Sequence, residues 1–238
     1  MCKREFESLA NYLLIFVSFV LFLFICGCET APLHRGYRWY CRGAYGQAIE
    51  TLTYYLDEYS SDNNENKEAR AAGFFYRGLS KAELGQIQEA DVDYREALAR
   101  VPDFFYASFN IGVGLIRQQQ YDSALEMFRK SWNSMTKAEC GELDDSLLWN
   151  RKVFLRDRSY CFFYYGMVLI MCGEIDEIGV LLKESERLTL KENRIIVARE
   201  LFRKVFVREL TLKECRMKVE SWLNDLEKGR GLRKFSGR

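Results

Sequence analysis

Residues 71–104 read AAGFFYRGLSKAELGQIQEADVDYREALARVPDF, and residues 105–138 read FYASFNIGVGLIRQQQYDSALEMFRKSWNSMTKA. The second segment repeats the first at an offset of 34 residues. The pairs at this offset are Gly78 with Gly112, Ala90 with Ala124, Tyr94 with Phe128, Ala97 with Ser131 and Leu98 with Trp132. Recurrence at this period is typical of a helical hairpin that stacks on copies of itself. The two segments therefore predict two adjacent hairpins, and every further inference about the fold starts from them.

Small residues predict how each hairpin closes. Gly78 and Gly112 would let two antiparallel helices approach backbone to backbone, and Ala90 and Ala124 would supply the small residue on the facing helix. Pro102 follows the second helix of the first copy, at a place where a proline ends a helix. The rings of Tyr94 and Phe128 are expected to pack against the next hairpin.

This pattern resembles the tetratricopeptide-repeat (TPR) family, and the likeness is to the repeat motif. The resemblance implies an all-α solenoid of helical hairpins whose curved stack binds other proteins. The same template extends to a weaker first copy in 28–62 and to a degraded last copy in 159–188. The first copy matches at Gly36, Gly43, Tyr45, Ala48 and Leu52, and the last at Gly166, Gly173, Ile175 and Leu182.

The outer copies depart from the template. The first copy is predicted to form helices at 33–42 and 45–59, followed by a polar surface loop at 60–67. The segment 139–158 is a twenty-residue insertion after the two strong copies in 71–138, and it should pack as a lengthened hairpin or an extra helix. Gln119 interrupts the glycine spacing in the third copy, and Ile178 replaces the small residue in the last.

Four further features concern the second half of the chain. Thr136 with Glu139 has the spacing of a capping box at the start of a helix. The apolar run at 162–171 is too short to span a bilayer and indicates a buried central helix. Residues 189–228 are predicted to form two capping helices that open at Thr189 with Glu192 and at Thr211 with Glu214. The tail at 229–238 is basic and is expected to be flexible and solvated.

The N-terminal residues 1–27 have the pattern of a signal peptide or a membrane anchor, with an apolar run at 9–27. Ile25, Cys26, Gly27 and Cys28 resemble the lipobox of bacterial lipoproteins, which implies lipidation of Cys28 as the first mature residue. By the same resemblance, Glu29 favours the periplasmic side of the outer membrane in a bacterial cell envelope. An uncleaved anchor is the alternative. The helical body should begin close to the lipid, because hardly any linker follows.

Catalytic, metal and cofactor chemistry finds little support in the sequence. His34 is the sole histidine, so a hydrolase that needs a histidine base has no candidate near a nucleophile. The eight cysteines include no C-x-x-C pair, and small buried hydrophobes are their expected role. The pairs Asp91 with Asp93 and Asp144 with Asp145 are expected to face solvent. The net charge of +1 gives no field for nucleic acid. We predict no enzyme activity, no cofactor and no metal.

In TPR proteins the first helix of each repeat lines a concave groove. The resemblance gives a partner-binding groove formed by Tyr37, Tyr40, Phe75, Leu79, Glu83, Tyr106, Phe109, Asn110, Val113, Arg117, Phe163 and Met167, in which Asn110 is included for its likeness to a clamp residue and the others for their positions in the repeat. This lining is aromatic and aliphatic, and only Asn110 fits the pattern of a carboxylate clamp, so such a clamp is not predicted. Phe109→Glu is expected to abolish partner capture while leaving the helical signal intact; loss of folding would instead place Phe109 in the core.

An apolar groove needs an occupant, and three are considered: a partner's helix or extended segment, the chain's own C-terminal helices, or a second copy that would make a homodimer. The expected function is a membrane-tethered scaffold or adaptor for other cell-envelope proteins or peptides. The alternative is a transport component whose groove binds a small hydrophobic ligand.

Overall fold

The structure is a computed structural model that describes residues 31–58, 67–139, 151–187 and 193–227. In these ranges it contains ten α-helices and one short 3₁₀ turn, and it has no strand, as an all-α fold requires. The helices are α1 Ala31–Cys41, α2 Tyr45–Glu58, α3 Lys67–Glu83, α4 Ile87–Arg100, α5 Phe105–Arg117, α6 Tyr121–Glu139, α7 Arg151–Cys172, α8 Ile175–Glu184, α9 Asn193–Phe206 and α10 Leu212–Glu227. The 3₁₀ turn, Ser185–Arg187, follows α8.

The helices stack as antiparallel pairs in chain order. α1 packs with α2, α3 with α4, α5 with α6, and α7 with α8. The first helix of each pair also packs against the second helix of the preceding pair, so each hairpin rests on its neighbours in the chain. Such nearest-neighbour packing defines a helical-repeat stack.

The four hairpins share one tight turn. Its central residue adopts a left-handed backbone with positive φ: 76° at Gly43, 82° at Gly85, 58° at Gln119 and 91° at Gly173. In each turn the next amide donates to a carbonyl five residues earlier; for example, the Gln120 amide donates to the Leu115 carbonyl at 3.0 Å. This is the hydrogen bond of a Schellman C-cap. The third turn therefore keeps the geometry of the others although its residue is not glycine.

The repeated glycines make room for an aromatic ring. A Cβ at Gly78 would lie 2.7 Å from Tyr94 Cε1 and 3.2 Å from the Ala90 carbonyl oxygen. At Gly112 the nearest atoms all belong to Phe128, the closest at 2.9 Å. The expected backbone-to-backbone contact is therefore corrected: in both hairpins the ring of the second helix lies across the glycine, and a backbone atom is among the nearest neighbours only at Gly78.

Aromatic packing links the third hairpin to the fourth. The Phe128 ring stacks on Tyr164 with centroids 6.0 Å apart and 9° between the planes, which confirms the expected contact with the next hairpin. Tyr94 has its ring contact with Phe75 of its own hairpin, at 5.9 Å. Residues 157–170 of α7 are buried on every side, as predicted for the central helix.

The C-terminal helices close the stack differently from a fifth hairpin. α9 packs against α7 and α8, and a Cβ at Gly166 or Gly179 would overlap the rings of Phe202 and Phe206 on α9. α10 packs mainly against α7. In the fourth hairpin the glycines therefore make room for rings of α9. The residue that corresponds to Tyr94 and Phe128 in this hairpin is Leu182, which has no ring.

The capping predictions have different outcomes. Thr211 and Glu214 form the predicted box: the Thr211 amide donates to Glu214 Oε2 at 2.8 Å, and the Glu214 amide donates to Thr211 Oγ1 at 3.3 Å. The box at Thr136 and Glu139 is wrong, because both residues lie in the last turns of α6 and the Thr136 hydroxyl donates to the Trp132 carbonyl at 3.0 Å. The pair at Thr189 lies outside the described residues.

The predicted insertion lies between the third and fourth hairpins, and its second part lengthens α7. α6 runs to Glu139 and α7 begins at Arg151, so residues 151–158 of the predicted insertion belong to a helix. The predictions for 1–27, Cys28, the loop at 60–67 except Lys67, residues 140–150 and the tail at 229–238 lie outside the described residues. No helix in the described part combines the length and apolarity needed to cross a membrane.

Candidate partner-binding groove

Half of the predicted groove residues lie inside the stack. Those with no more than 5% of their surface exposed are Tyr40, Phe75, Leu79, Phe109, Phe163 and Met167. Phe109 shows why: its ring centroid lies 5.5 Å from Phe128 and 5.4 Å from Tyr164, both in edge-on contact. A carboxylate at position 109 would be buried among these rings, so Phe109→Glu is now expected to prevent folding. Of the two outcomes considered for this substitution, loss of partner capture and loss of folding, the burial of Phe109 favours loss of folding.

The other six side chains remain accessible. Tyr37, Glu83, Tyr106, Asn110 and Val113 are half-buried, and Arg117 is exposed. Three of them, Asn110, Val113 and Arg117, lie together on one face of α5 and line a cleft against α3 and α4. The residues lining the cleft are Ala82, Ile87, Ala90, Asp91, Tyr94, Asn110, Val113, Gly114, Arg117 and Gln118. The cleft is shallow and open to solvent, with a cavity volume of about 50 Å³.

The first turns of α4 were missing from the predicted groove. Ile87 and Asp91 contribute to the cleft because the start of α4 faces the end of α5 in the next hairpin. The family positions name only first helices, so they do not point to these residues. Their spacing of four, which places both on one face of α4, is the sequence signal that was available.

Arg117 dominates the charge of the cleft. Burial raises the pKa of Tyr164 to about 12, and the positive charge of Arg117 works against this rise. Burial also raises the pKa of Tyr94, where Glu83 adds to the rise and Arg117 again opposes it. The guanidinium is thus close enough to act on both phenols. Within the described ranges Arg117 has no carboxylate partner, so an acidic group of a ligand could bind there.

Asn110 offers a hydrogen-bonding group beside Arg117. Its side-chain nitrogen donates to the Tyr106 carbonyl at 2.8 Å, which leaves the carboxamide oxygen as an acceptor. The cleft therefore combines a cation, an acceptor and an aliphatic wall that includes Val113 and Ile87.

The groove at the fourth hairpin is covered by the chain's own C-terminal helix. The ring of Trp222 on α10 lies 5.7 Å from the ring of Phe163 on α7. Arg216 Nε donates to the Ile170 carbonyl at 3.2 Å. Of the three occupants considered for the groove, α10 thus accounts for the section around Phe163.

The predicted exposure of the acid pair is wrong for Asp93. Its carboxylate is 1% exposed and accepts hydrogen bonds from Arg77 at 2.7 and 3.0 Å, with Lys81 Nζ at 2.8 Å. Asp91 stays near the surface and pairs with Arg95 at 2.7 Å. The prediction failed because the sequence alone did not show that Arg77 and Lys81 of α3 both face Asp93 on α4.

Cys161 and Cys172 of α7 are poor nucleophiles. Burial raises the pKa of the Cys161 thiol to about 12 and that of Cys172 to about 11, so both remain protonated at neutral pH. Elsewhere in the described ranges, no three His, Cys, Asp or Glu side chains converge as a metal ion would require.

Comparison with known proteins gives a likeness of fold. No protein-family model and no curated protein sequence matches the chain. A crystal structure of nearly identical TPR-like repeats, from a candidate kinesin light chain of Podosopora anserina, aligns with a TM-score of 0.51 and 12% sequence identity. The alignment covers 83% of this chain and 95% of that one. With the paired helices and repeated turns described above, it shows that the chain adopts a TPR-like helical-repeat fold.

Proposed function

We propose that this chain is a scaffold or adaptor that binds a segment of a partner protein in the cleft between α3, α4 and α5. The observation that carries the proposal is the contrast within one groove. The section at the fourth hairpin is filled by α10 through Trp222, whereas the section at Arg117 is open. A TPR-like stack offers such a groove to protein partners, and the open section is where one can enter.

The lining of the cleft defines the segment that it would bind. Ala82, Ile87 and Val113 supply apolar contacts, and Arg117 supplies a cation that no described carboxylate neutralises. A peptide that places an acidic side chain next to an aliphatic one matches both features. The bulky apolar residues of the predicted groove are packed in the core, which leaves less apolar surface for a small hydrophobic ligand.

The proposal includes a membrane tether. It is supported by the apolar run at 9–27 and by the lipobox-like sequence that ends at Cys28. With lipid on Cys28, the stack would work at the surface of a bacterial envelope membrane, with the outer membrane favoured, and its partners would be envelope proteins. Radiolabelled palmitate incorporated into the wild type and absent from Cys28→Ser would support the lipid anchor; equal labelling would refute it.

A photo-crosslinking experiment in the native envelope tests the binding cleft. A photoreactive phenylalanine replaces Gln118, at the rim of the cleft, and the control carries it at Tyr54, an exposed residue of α2. We expect a discrete crosslinked protein from position 118 and none of that mass from position 54. Adding Arg117→Glu should abolish this product without changing the helical circular dichroism.

Two results would overturn the binding proposal. One is the same crosslinked product from both positions, which would indicate collision without a site. The other is a product from position 118 that Arg117→Glu leaves unchanged, since the proposed segment depends on that cation.

A further inference from the structure

The outer face of α1 carries an uninterrupted basic surface. His34, Arg35, Arg38 and Arg42, which follows α1 directly, are all exposed, and α1 contains no acidic residue. At about 100° per residue, these four side chains and Trp39 occupy roughly 140° of the helix circumference. The buried residues Gly36 and Tyr40 lie on the opposite side, against the rest of the stack. We call His34, Arg35, Arg38 and Arg42 the α1 basic face; Trp39 lies at its edge, half-buried against the apolar core.

The arginines of the α1 basic face have no acidic partners in the part of the chain that the structure describes. The guanidinium of Arg42 lies over the Trp39 ring, 5.5 Å from its centroid. Two other exposed arginines do pair with carboxylates: Arg95 with Asp91 and Arg203 with Glu200. Three unneutralised arginines on one face therefore point to an anionic binding surface.

We propose that the α1 basic face binds the anionic headgroups of a phospholipid bilayer. The position of α1 in the chain argues for lipid. The apolar run ends at Gly27, and four residues further on α1 begins, so the link spans at most about 14 Å. Headgroup charge acts over a Debye length of about 8–10 Å. When the chain is held at the membrane by lipid on Cys28, as proposed above, or by an uncleaved run, α1 lies where that charge is felt.

The composition of the face also favours a bilayer over an acidic protein. Trp39 is half-buried at the edge of the basic arc, and tryptophan rings are favoured at the level of the lipid headgroups. Arginine pairs with phosphate by two parallel hydrogen bonds, and a lipid surface offers phosphates at any spacing. The inference rests on the membrane tether of the proposed function, and the face lies on a different helix from the Arg117 cleft.

The test uses the full chain with vesicles of phosphatidylcholine, with and without phosphatidylglycerol. Flotation reports membrane attachment. Quenching by a headgroup spin-labelled lipid, measured as the difference between the wild type and Trp39→Phe, reports contact of α1 with the bilayer. The test variant is R35Q/R38Q/R42Q. The control is R208Q/K213Q/K218Q, which removes the same charge from exposed residues of the C-terminal end.

We expect quenching of Trp39 to require phosphatidylglycerol and to decrease with added salt. The ratio of chains with α1 on the bilayer to chains with α1 off it, obtained from the quenching, should fall about fivefold for each arginine removed. In the test variant, which lacks three arginines, it should fall about a hundredfold. The control variant should behave as the wild type.

Three results would overturn the inference: no flotation with anionic vesicles, quenching of Trp39 that is equal with and without phosphatidylglycerol, or equal loss in the test and control variants. Quenching of Trp39 that is unchanged in the test variant would overturn it as well. The crosslink from position 118 tests the Arg117 cleft and does not involve α1. The partner-binding proposal and this inference can therefore fail separately.

Discussion

A residue other than glycine can occupy the hairpin turn at a cost in backbone energy. Gln119 has φ of 58°, which lies in the left-handed region where a Cβ crowds the following carbonyl. The fold imposes this conformation, because the Gln119 amide donates to Ile116 as in the first two turns, and the Gln120 amide donates to Leu115 as in all of them. Gly43, Gly85 and Gly173 adopt it without that crowding.

Gln119→Gly is expected to stabilise the protein by about 0.5–1 kcal/mol, the relief of the left-handed strain less the added flexibility of glycine in the unfolded chain. Urea unfolding followed by circular dichroism measures the change. Gln118→Gly is the matched control, since Gln118 has φ of −88° and gains no relief. A stabilisation equal in both variants would contradict the account.

Glu177 is a single residue that joins α8 to α6 and α7. Arg129 Nε and Nη2 donate to its carboxylate at 2.9 and 2.5 Å, and the Tyr165 hydroxyl donates to it as well. The Arg129 hydrogen bond is the main cause that lowers the pKa of Glu177 below its ordinary value of 4.5; partial burial opposes it, and Tyr165 adds to the lowering. A carboxylate with a lowered folded-state pKa stabilises the fold above its unfolded pKa, and this contribution disappears as the pH falls through the folded value.

Glu177→Gln should therefore cost about 1 kcal/mol at pH 7, since a partly exposed pair is lost. The deficit should stay constant down to about pH 4.5 and shrink below it, because Glu177 of the wild type then becomes neutral too. Urea unfolding at pH 7, 5 and 3 measures the trend. A deficit that persists unchanged at pH 3 would show that packing, and not charge, is what the variant loses.

At the scale of the element, equivalent positions in two neighbouring hairpins make an ionic contact in one hairpin and an apolar contact in the other. Between α3 and α4, Asp93 is buried and holds Arg77 and Lys81. The equivalent positions in the next hairpin are Ile111, Leu115 and Met127, and these three pack in or against the core of the first half. The chain thus contains an ionic and an apolar version of one helix contact.

The triple variant R77I/K81L/D93M should be at least as stable as the wild type, because apolar packing of similar volume often equals a buried ion cluster. Asp93→Ala alone should cost about 3 kcal/mol, since it leaves two partly buried cations without their acid. Urea unfolding of both variants measures this. If the triple variant lost as much stability as Asp93→Ala, the ionic cluster would have a role that apolar packing cannot replace.

The sequence predicts contacts within a hairpin better than contacts between distant elements. Gly78 with Tyr94 and Gly112 with Phe128 recur at a fixed period, so a local pattern shows which residues meet. The contact of Trp222 with Phe163 joins residues far apart in the chain, and no period encodes it.

The candidate site was predicted in part for a related reason. The family positions give the groove-lining face of each first helix, and they predicted Val113 and Arg117; Asn110, predicted from the clamp pattern, lies beside them in the cleft. They do not say how closely neighbouring hairpins approach. In this stack the approach is close enough to bury Phe75 and Phe109.

At the scale of the whole molecule, the stack contains two apolar cores in series. One extends from Tyr40 to Ile111 and the other from Phe105 to Val219, with Tyr106 and Leu115 packed against both. Such an array transmits stability from neighbour to neighbour. Its two ends can therefore differ in stability, and α10 belongs to the second core.

Trp222→Ala tests this arrangement. Loss of the ring that covers Phe163 should raise amide hydrogen exchange in α10 and at the end of α7 by about tenfold to a hundredfold, the effect of 1–3 kcal/mol of local stability. Exchange in α1 and α2 should remain as in the wild type. Leu52→Ala is the counterpart at the other end, because Leu52 is fully buried against Gly36 between α1 and α2. It should raise exchange there and leave α10 unchanged. If either variant raised exchange evenly along the chain, the two cores would unfold as one unit, and α10 would be an integral part of a single domain rather than a cover on one end of a stack.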